Sequence, residues 1–193
     1  MKIIFATNNK NKVEEIKHLS HQKFEIFTLQ EVGIDIDIPE PHDTLEANAT
    51  EKSSTIYKLT NEAVFSEDTG LEVEALNGAP GVKSARYAGE GRNMQDNIDK
   101  LLAELKDKPT RAAQFRTVVS LIIGGKEYQF EGICKGHITH EMDGSNGFGY
   151  DPVFIPEGSN ATFANMDITE KNKFSHRKKA VQKLIDFLNA YQA

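Results

Sequence analysis

With one cysteine, Cys134, in 193 residues, the chain can hold no internal disulfide framework. Cys134 lies in an apolar-rich, strand-like stretch and reads as a small buried hydrophobe, not a nucleophile, which suits a reducing cytoplasm. Long apolar runs are also lacking. Met1-Lys2-Ile3-Ile4-Phe5-Ala6 is too short for the core of a signal peptide and carries no small-residue cleavage site. Nothing further along approaches the roughly 20 apolar residues of a membrane span, so a soluble, cytoplasmic protein with no membrane partner is expected. There is no basic excess either. A formal net charge of −6 argues against a nucleic-acid polymer as partner, since that needs a basic face to neutralise phosphates. Repeats, low-complexity tracts and long linkers are absent, and the whole chain, 1–193, is expected to form a single domain. At this length a fold buries roughly 70% of its unfolded surface, enough for a self-sufficient core.

Positive charge is concentrated locally. Lys171, Lys173, Arg177, Lys178 and Lys179 crowd one segment, and Lys10 and Lys12 another. A focused site for a small polyanion fits this pattern better than a polymer does.

Strand-like and helix-like patterns alternate along the chain. Lys2–Ala6 reads as a strand; after the polar turn Thr7–Asn11, Val13, Ile16 and Leu19 recur at helical spacing. Asp43-Thr44-Leu45-Glu46 carries a capping-box pattern that opens a second helix to about Thr60, and Asn93 can cap a third whose Ile98, Leu101, Leu102 and Leu105 face inward. Between Ala112 and Ile138 the character is β, with Gly124-Gly125 marking a hairpin. A last helix is expected over Ser175–Ala190. The sum is a mixed α/β protein, helix-rich in its first and last thirds and antiparallel in the middle, with two lobes and a cleft between them.

Phe65-Ser66-Glu67-Asp68-Thr69-Gly70-Leu71 places two adjacent carboxylates where the strand Ala63-Val64-Phe65 is expected to end, before a segment in which Leu71, Val73 and Ala75 alternate with Glu72 and Glu74. Acids in a loop at a strand end suit a metal or a base, although solvated or capping acids are the commoner case. Thr7-Asn8-Asn9-Lys10-Asn11-Lys12 joins the first strand to the first helix, where free N–H groups and the dipole favour a phosphate; an Asn-rich helix cap is the alternative. The glycine-dense loop Asp143–Pro152 offers Phe148 as a stacking face, or is a turn whose aromatics fill the core. Basic His176 and Arg177 at the start of the last helix oppose its dipole and call for an acceptor, which a ligand would supply. Glu40, held between Pro39 and Pro41, is either an exposed loop acid or a partner of Asp68 on a cation.

Together and in this order, Phe5-Ala6-Thr7-Asn8-Asn9…Lys12, Ser66-Glu67-Asp68-Thr69-Gly70-Leu71, Gly78-Ala79-Pro80-Gly81-Val82…Ser84-Ala85-Arg86-Tyr87, Phe148-Gly149-Tyr150-Asp151-Pro152 and Ser175-His176-Arg177 closely resemble the inosine triphosphate pyrophosphatase family. The resemblance implies cleavage of ITP, dITP and XTP to monophosphate and pyrophosphate, dependence on Mg²⁺, a homodimer, and a two-lobed α/β fold with an elongated central mixed β-sheet flanked by helices. It also implies that the nucleotide lies in the cleft between the lobes.

Carried over position by position, the resemblance makes Thr7, Asn8, Asn9, Lys10, Asn11 and Lys12 phosphate contacts, with Lys52 assisting. Asp68 becomes the catalytic acid, and Glu40 and Asp68 the metal ligands. Thr69, Phe148, Gly149, Tyr150, Asp151, Lys171, His176 and Arg177 become the remaining substrate contacts. Asn8 stands where the family commonly has glycine, and Glu67-Asp68-Thr69 replaces the frequent Asp-Asp-Ser. Asn tolerates positive φ best among the non-glycine residues, so loop geometry is where the first change would be felt.

The implied reaction is in-line attack of water on the α-phosphorus, with Asp68 or Glu67 as base and Lys12, Lys52 and Lys171 offsetting charge on the departing pyrophosphate. Arg177, which has only donors, would read the 6-carbonyl of hypoxanthine and xanthine and leave the amine of adenine unmatched. Two other readings are a Maf-like pyrophosphatase acting on pyrimidine or modified nucleotides, which the Ser175-His176-Arg177 segment disfavours, and a non-catalytic nucleotide-binding module.

Overall fold

The computed structural model describes residues 1–19 and 24–191, without the side chains of His18 and Leu19. The first strand, β1 (Lys2–Phe5), buries Ile3, Ile4 and Phe5 and passes through the expected polar turn into helix α1 (Lys10–Leu19). Ile16 is fully buried on that helix and Val13 packs against the same cluster, as the spacing predicts; Leu19, the third residue of the stripe, lies outside the described side chains. Strand β2 (Glu25–Thr28) then pairs parallel to β1, Lys2 opposite Glu25 and Phe5 opposite Thr28. Strand, helix and parallel strand form one crossover unit.

Helix α2 (Leu45–Thr60) starts one residue later than the capping-box pattern suggests. Thr44, not Asp43, is the cap, its hydroxyl accepting from the Ala47 N–H at 3.2 Å, and the helix ends at Asn61 in the left-handed region. Thr44 wins because the cap oxygen must reach the third helical N–H, and with Leu45 as first helical residue that group belongs to Ala47.

Strand β3 (Val64–Val73) corrects a larger expectation. Ser66, Glu67, Asp68 and Thr69 are not in a loop at a strand end but in the middle of one unbroken strand of 10 residues that pairs parallel to β1 through Ile4–Val64 and Phe5–Phe65. Ala75, expected to continue the alternation, instead falls in the short 3-10 turn Glu74–Leu76. Polar residues are tolerated mid-strand here because each side chain has a partner, as set out below. The two-residue strand β4 (Pro80–Gly81) lies antiparallel on β3, so close that a Cβ on Gly70 would stand 2.6 Å from the Gly81 carbonyl oxygen.

Helix α3 (Met94–Glu104) is capped by Asn93 as expected, its side chain accepting from the Asp96 N–H. Strands β5 (Ala112–Ile123) and β6 (Lys126–Ile138) are joined at Gly124-Gly125, both at positive φ (57° and 74°), which only such residues adopt readily in a tight hairpin. Strand β7 (Phe154–Pro156) runs antiparallel to β6. The C-terminal helical region is two helices: a separate α4 (Ile168–Phe174), capped by Asp167 and carrying Lys171, precedes α5 (His176–Ala190), with Ser175 at the junction. The seven strands form one mixed sheet in the order β2-β1-β3-β5-β6-β7, with β4 on β3.

By packing, the chain divides into two compact units, both discontinuous in sequence. The first comprises Met1–Asp68, Thr117–Gly132 and Arg177–Ala193. Its core has two layers, because alternate strand residues point to opposite faces. Ile3, Phe5, Phe65, Val119 and Leu121 pack with Ile16 of α1 and Ala180, Val181, Leu184 and Leu188 of α5, whereas Ile4, Ala6 and Val64 pack with Ile56 of α2. Phe5 and Phe65 stack at 4.5 Å across the parallel pair. The second unit, Thr69–Arg116 and Ile133–His176, packs Leu71, Val73, Phe115, Cys134, Ile138 and Phe154 against Ile98, Leu101 and Leu105 of α3 and against Phe163 and Met166. Cys134 is 2% exposed, the buried hydrophobe its surroundings suggest. Among the described residues no helix is long and apolar enough to cross a membrane.

Candidate active site

In the first unit the β1–α1 turn is held by its own side chains. The Thr7 hydroxyl accepts from the Asn9 N–H and the Asn9 carboxamide oxygen from the Lys12 N–H, both at 3.2 Å, so Asn9 caps α1. Asn8 is not at positive φ, contrary to what replacing a glycine suggests; its amide donates instead to the Ile36 carbonyl at 2.8 Å and ties the turn to the segment before Glu40. Lys10 and Asn11 are exposed, and Lys12 turns inward, 2.8 Å from Glu67.

The two acids of β3 are buried, Glu67 at 1% and Asp68 at 7% exposure, and because they are consecutive on one strand they face opposite sides of it. Glu67 points toward α1 and α5, where Lys12 Nζ and Arg177 Nε (3.4 Å) meet its Oε1. Arg177 also donates through Nη1 to Glu15. The conflict of a basic residue with the dipole of α5 is thus resolved inside the protein, since two carboxylates accept from a guanidinium that is only 2% exposed. Asp68 faces α2, where Lys52 Nζ lies 3.2 Å from its Oδ1 and 2.5 Å from Glu40 Oε1. Segments as distant in sequence as residues 12, 40, 52, 67–68 and 177 therefore converge within the first unit.

Lys12, Lys52 and Arg177 between them face the carboxylates of Glu15, Glu40, Glu67 and Asp68. Burial pushes the Asp68 carboxyl above the usual range, against the pull of Lys52 and Lys12, with Glu40 adding to the rise. Burial alone would lower Lys52, but Asp68, Glu40 and Glu67 outweigh it and hold the ammonium above its ordinary value.

The second unit holds the other expected contacts. Lys171, nearly buried, places Nζ 2.7 Å from Asp151 Oδ2 and lies over the rings of Phe148 (5.3 Å) and Phe163 (5.4 Å). The same Asp151 oxygen accepts from the Phe148 N–H at 2.9 Å, and a Cβ on Gly147 would sit 2.1 Å from it, so glycine is what lets the loop close over the carboxylate. Tyr150 is buried and donates to the Ser84 carbonyl at 2.8 Å. Tyr150 and Asp151 thus support the loop, while Phe148 is half-buried and Gly149 sits at φ +64° beside it. Thr69 is half-buried on β3, and His176 stacks on Phe115 at 4.7 Å.

Gly78–Tyr87, for which the sequence suggests no role beyond a turn, proves to be a brace. The Ser84 hydroxyl accepts from the Leu71 N–H at 2.9 Å and donates to the Gly81 carbonyl, fixing β3 just past the acids, while its carbonyl anchors Tyr150. Glu15 carries no motif of its own; its position three residues after Lys12, which puts both on one helix face, is the sequence signal for it.

The sequence model of the Ham1 family matches residues 3–187. The chain belongs to the Ham1 family. It is 50% identical over 190 residues to a dITP/XTP pyrophosphatase of Flavobacterium johnsoniae, covering 98% of this chain and 99% of that protein. It is 52% identical over 188 residues to one of Porphyromonas gingivalis, covering 97% of each. The Ham1 protein of Staphylococcus aureus superimposes with a TM-score of 0.90 at 37% identity over all of both chains. A HAM1 protein of Coxiella burnetii gives 0.91 at 34% identity, covering 99% of this chain and 100% of that one.

The donor set of this Ham1 chain fits a hard divalent cation. Glu40 and Asp68 direct carboxylate oxygens at one cationic point, Lys52 Nζ. Among the described residues no three acids, histidines or cysteines gather to hold a metal by themselves. Two carboxylates with substrate phosphates and water are the usual Mg²⁺ ligands.

Proposed function

We propose that this chain hydrolyses deaminated purine nucleoside triphosphates, dITP, XTP and ITP, to the monophosphate and pyrophosphate, and so keeps them out of DNA and RNA. Relatives named dITP/XTP pyrophosphatase, matched over nearly their full length, support the substrate class. The observation that carries the reading is the Lys52 ammonium held between Glu40 and Asp68.

In the first unit, the Thr7–Lys12 turn and the ammonium groups of Lys12 and Lys52 receive phosphate oxygens. Lys52, kept charged by its carboxylates, offsets the charge that accumulates on departing pyrophosphate. Glu40 and Asp68 would hold Mg²⁺, which when bound neutralises phosphate charge as a Lewis acid. Asp68 orients the attacking water and takes its proton at a carboxylate oxygen. Glu67, clamped by Lys12 and Arg177, acts as their counter-charge.

For the base, Phe148 offers a ring face on a loop fixed by Asp151 and Lys171, with Thr69, Gly149, Tyr150 and His176 in support. Arg177 presents donors only, which match the 6-carbonyl of hypoxanthine and xanthine and leave the adenine amine without an acceptor. We place the enzyme in the cytoplasm as a homodimer on the strength of the family resemblance; sedimentation checks the second point.

Pyrophosphate release from ITP, dITP, XTP, dTTP, ATP and GTP, with and without Mg²⁺, tests the reading. Release from the first three, dependent on Mg²⁺, is expected. Preference for dTTP would turn the assignment to a Maf-like activity, and binding without release would make the protein a nucleotide sensor.

A further inference from the structure

Helix α2 carries Lys52, and its buried face mixes apolar and polar residues. Of the residues it buries, Leu45, Ala49 and Ile56 are apolar, while Asn48, Lys52 and Ser53 are polar. Polar contacts help to fix its register: Ser53 Oγ meets Ser120 Oγ of β5 at 2.7 Å, the Thr50 hydroxyl donates to Glu127 of β6 at 2.6 Å, and on β3 Ser66 Oγ, fully buried, donates to the Ala49 carbonyl at 2.5 Å.

Ser66 and Asp68 are two apart on β3 and share its α2 face; Ala49 and Lys52 are three apart on α2 and share the face toward β3. The pairs form two rungs between the same faces, Ser66 with Ala49 and Asp68 with Lys52. A slip of one helical residue at the first rung would carry Lys52 about 1.5 Å along the axis, enough to break a 3.2 Å contact.

We propose that Ser66 is a positioning residue: its hydroxyl locks the register of α2 on β3 and thereby holds the Lys52 ammonium against Asp68 and Glu40. This rests on the function proposed above, in which Lys52 receives phosphate oxygens and offsets charge that develops on the departing pyrophosphate. Loss of the second contribution lowers kcat and kcat/KM together. A fault in folding alone would instead lower the amount of active enzyme and the melting temperature.

The test measures kcat and KM for ITP with Mg²⁺, together with melting temperature, for wild type, Ser66→Ala and Ser66→Thr. Ser66→Ala is expected to lose about tenfold in kcat with KM within about twofold, and Ser66→Thr, which keeps the hydroxyl, to recover most of it. Should Ser66→Ala fail to fold, Ser66→Cys, nearly isosteric with a weak donor, is read the same way and should show a smaller loss of kcat. A kcat within twofold of wild type in the folded variant lacking the hydroxyl, or a loss that Thr does not restore, overturns the proposal. Crystal structures of wild type and variant give a readout free of activity: the Lys52 Nζ–Asp68 Oδ1 separation should lengthen in the variant, and an unchanged separation overturns the inference. A wild type inert toward every nucleotide would defeat the proposed function instead, and the crystallographic comparison would still decide the role of Ser66.

Discussion

Glu67 and Asp68 are neighbours in sequence, yet they face opposite sides of β3 and belong to different ion networks. Glu67 joins Lys12 of α1 and Arg177 of α5; Asp68 joins Lys52 of α2 and, through it, Glu40. One acid is held by two cations, whereas the other shares one ammonium with a second carboxylate. The exchangeable arrangement is the second.

Asp68→Asn should therefore abolish catalysis without harming the fold. A loss of a hundred- to ten-thousand-fold in pyrophosphate release from ITP is expected, about the range for removing a general base. Asn keeps the size of the side chain and an acceptor for the Lys52 ammonium, which Glu40 still faces, so the melting temperature at pH 7 should stay close to that of wild type. Substantial residual activity with Mg²⁺ would count against the role.

Arg177→Ala has the opposite signature. It takes a buried guanidinium partner away from Glu15 and Glu67, with Lys12 still facing Glu67, and breaking such a pair destabilises by about 3–5 kcal/mol. Denaturant unfolding measures this directly. If the same guanidinium reads the base, KM for ITP rises and the ratio of ITP to ATP turnover narrows; an unchanged ratio would remove Arg177 as the reader and leave it the structural role alone.

In the second unit, Lys171→Met should destabilise more than Lys171→Met combined with Asp151→Asn. The single change takes the ammonium from a carboxylate that is 3% exposed, while the double change removes both charges and keeps an acceptor for the Phe148 N–H. Chemical denaturation of the two variants settles the order. Equal losses would mean that the pair contributes through packing on Phe148 and Phe163 rather than charge.

Away from the site, Glu31 makes a pH-dependent contribution. The Thr28 N–H (2.7 Å), Lys17 and the Thr28 hydroxyl hold its carboxyl down to about 2. A depressed carboxyl stabilises the fold above its unfolded value of 4.5, and that stability is lost as pH falls toward 2. Glu31→Gln should lower the melting temperature at pH 6 by a modest amount, since the group is exposed and screened, with the gap to wild type closing between pH 4.5 and 2. A gap independent of pH would contradict the assignment.

The sequence by itself determined the elements with strong local signals. The caps at Asn93 and Asn9, the inward stripe of α3, the Gly124-Gly125 hairpin and the burial of Cys134 each follow from a few neighbouring residues. Ordered motifs spread along the chain pointed to its family, and Lys12, Glu40, Lys52, Asp68 and Arg177 were all marked for one site. What only the tertiary structure decided was which partner each of them takes. The acids looked like a loop because acidic residues seldom occupy a buried strand; they are strand residues because Lys12, Lys52 and Arg177 arrive from three separate helices to neutralise them. No local pattern encodes that meeting. It depends on contacts separated by as many as 162 residues, as between Glu15 and Arg177, and such contacts exist only once the sheet has formed.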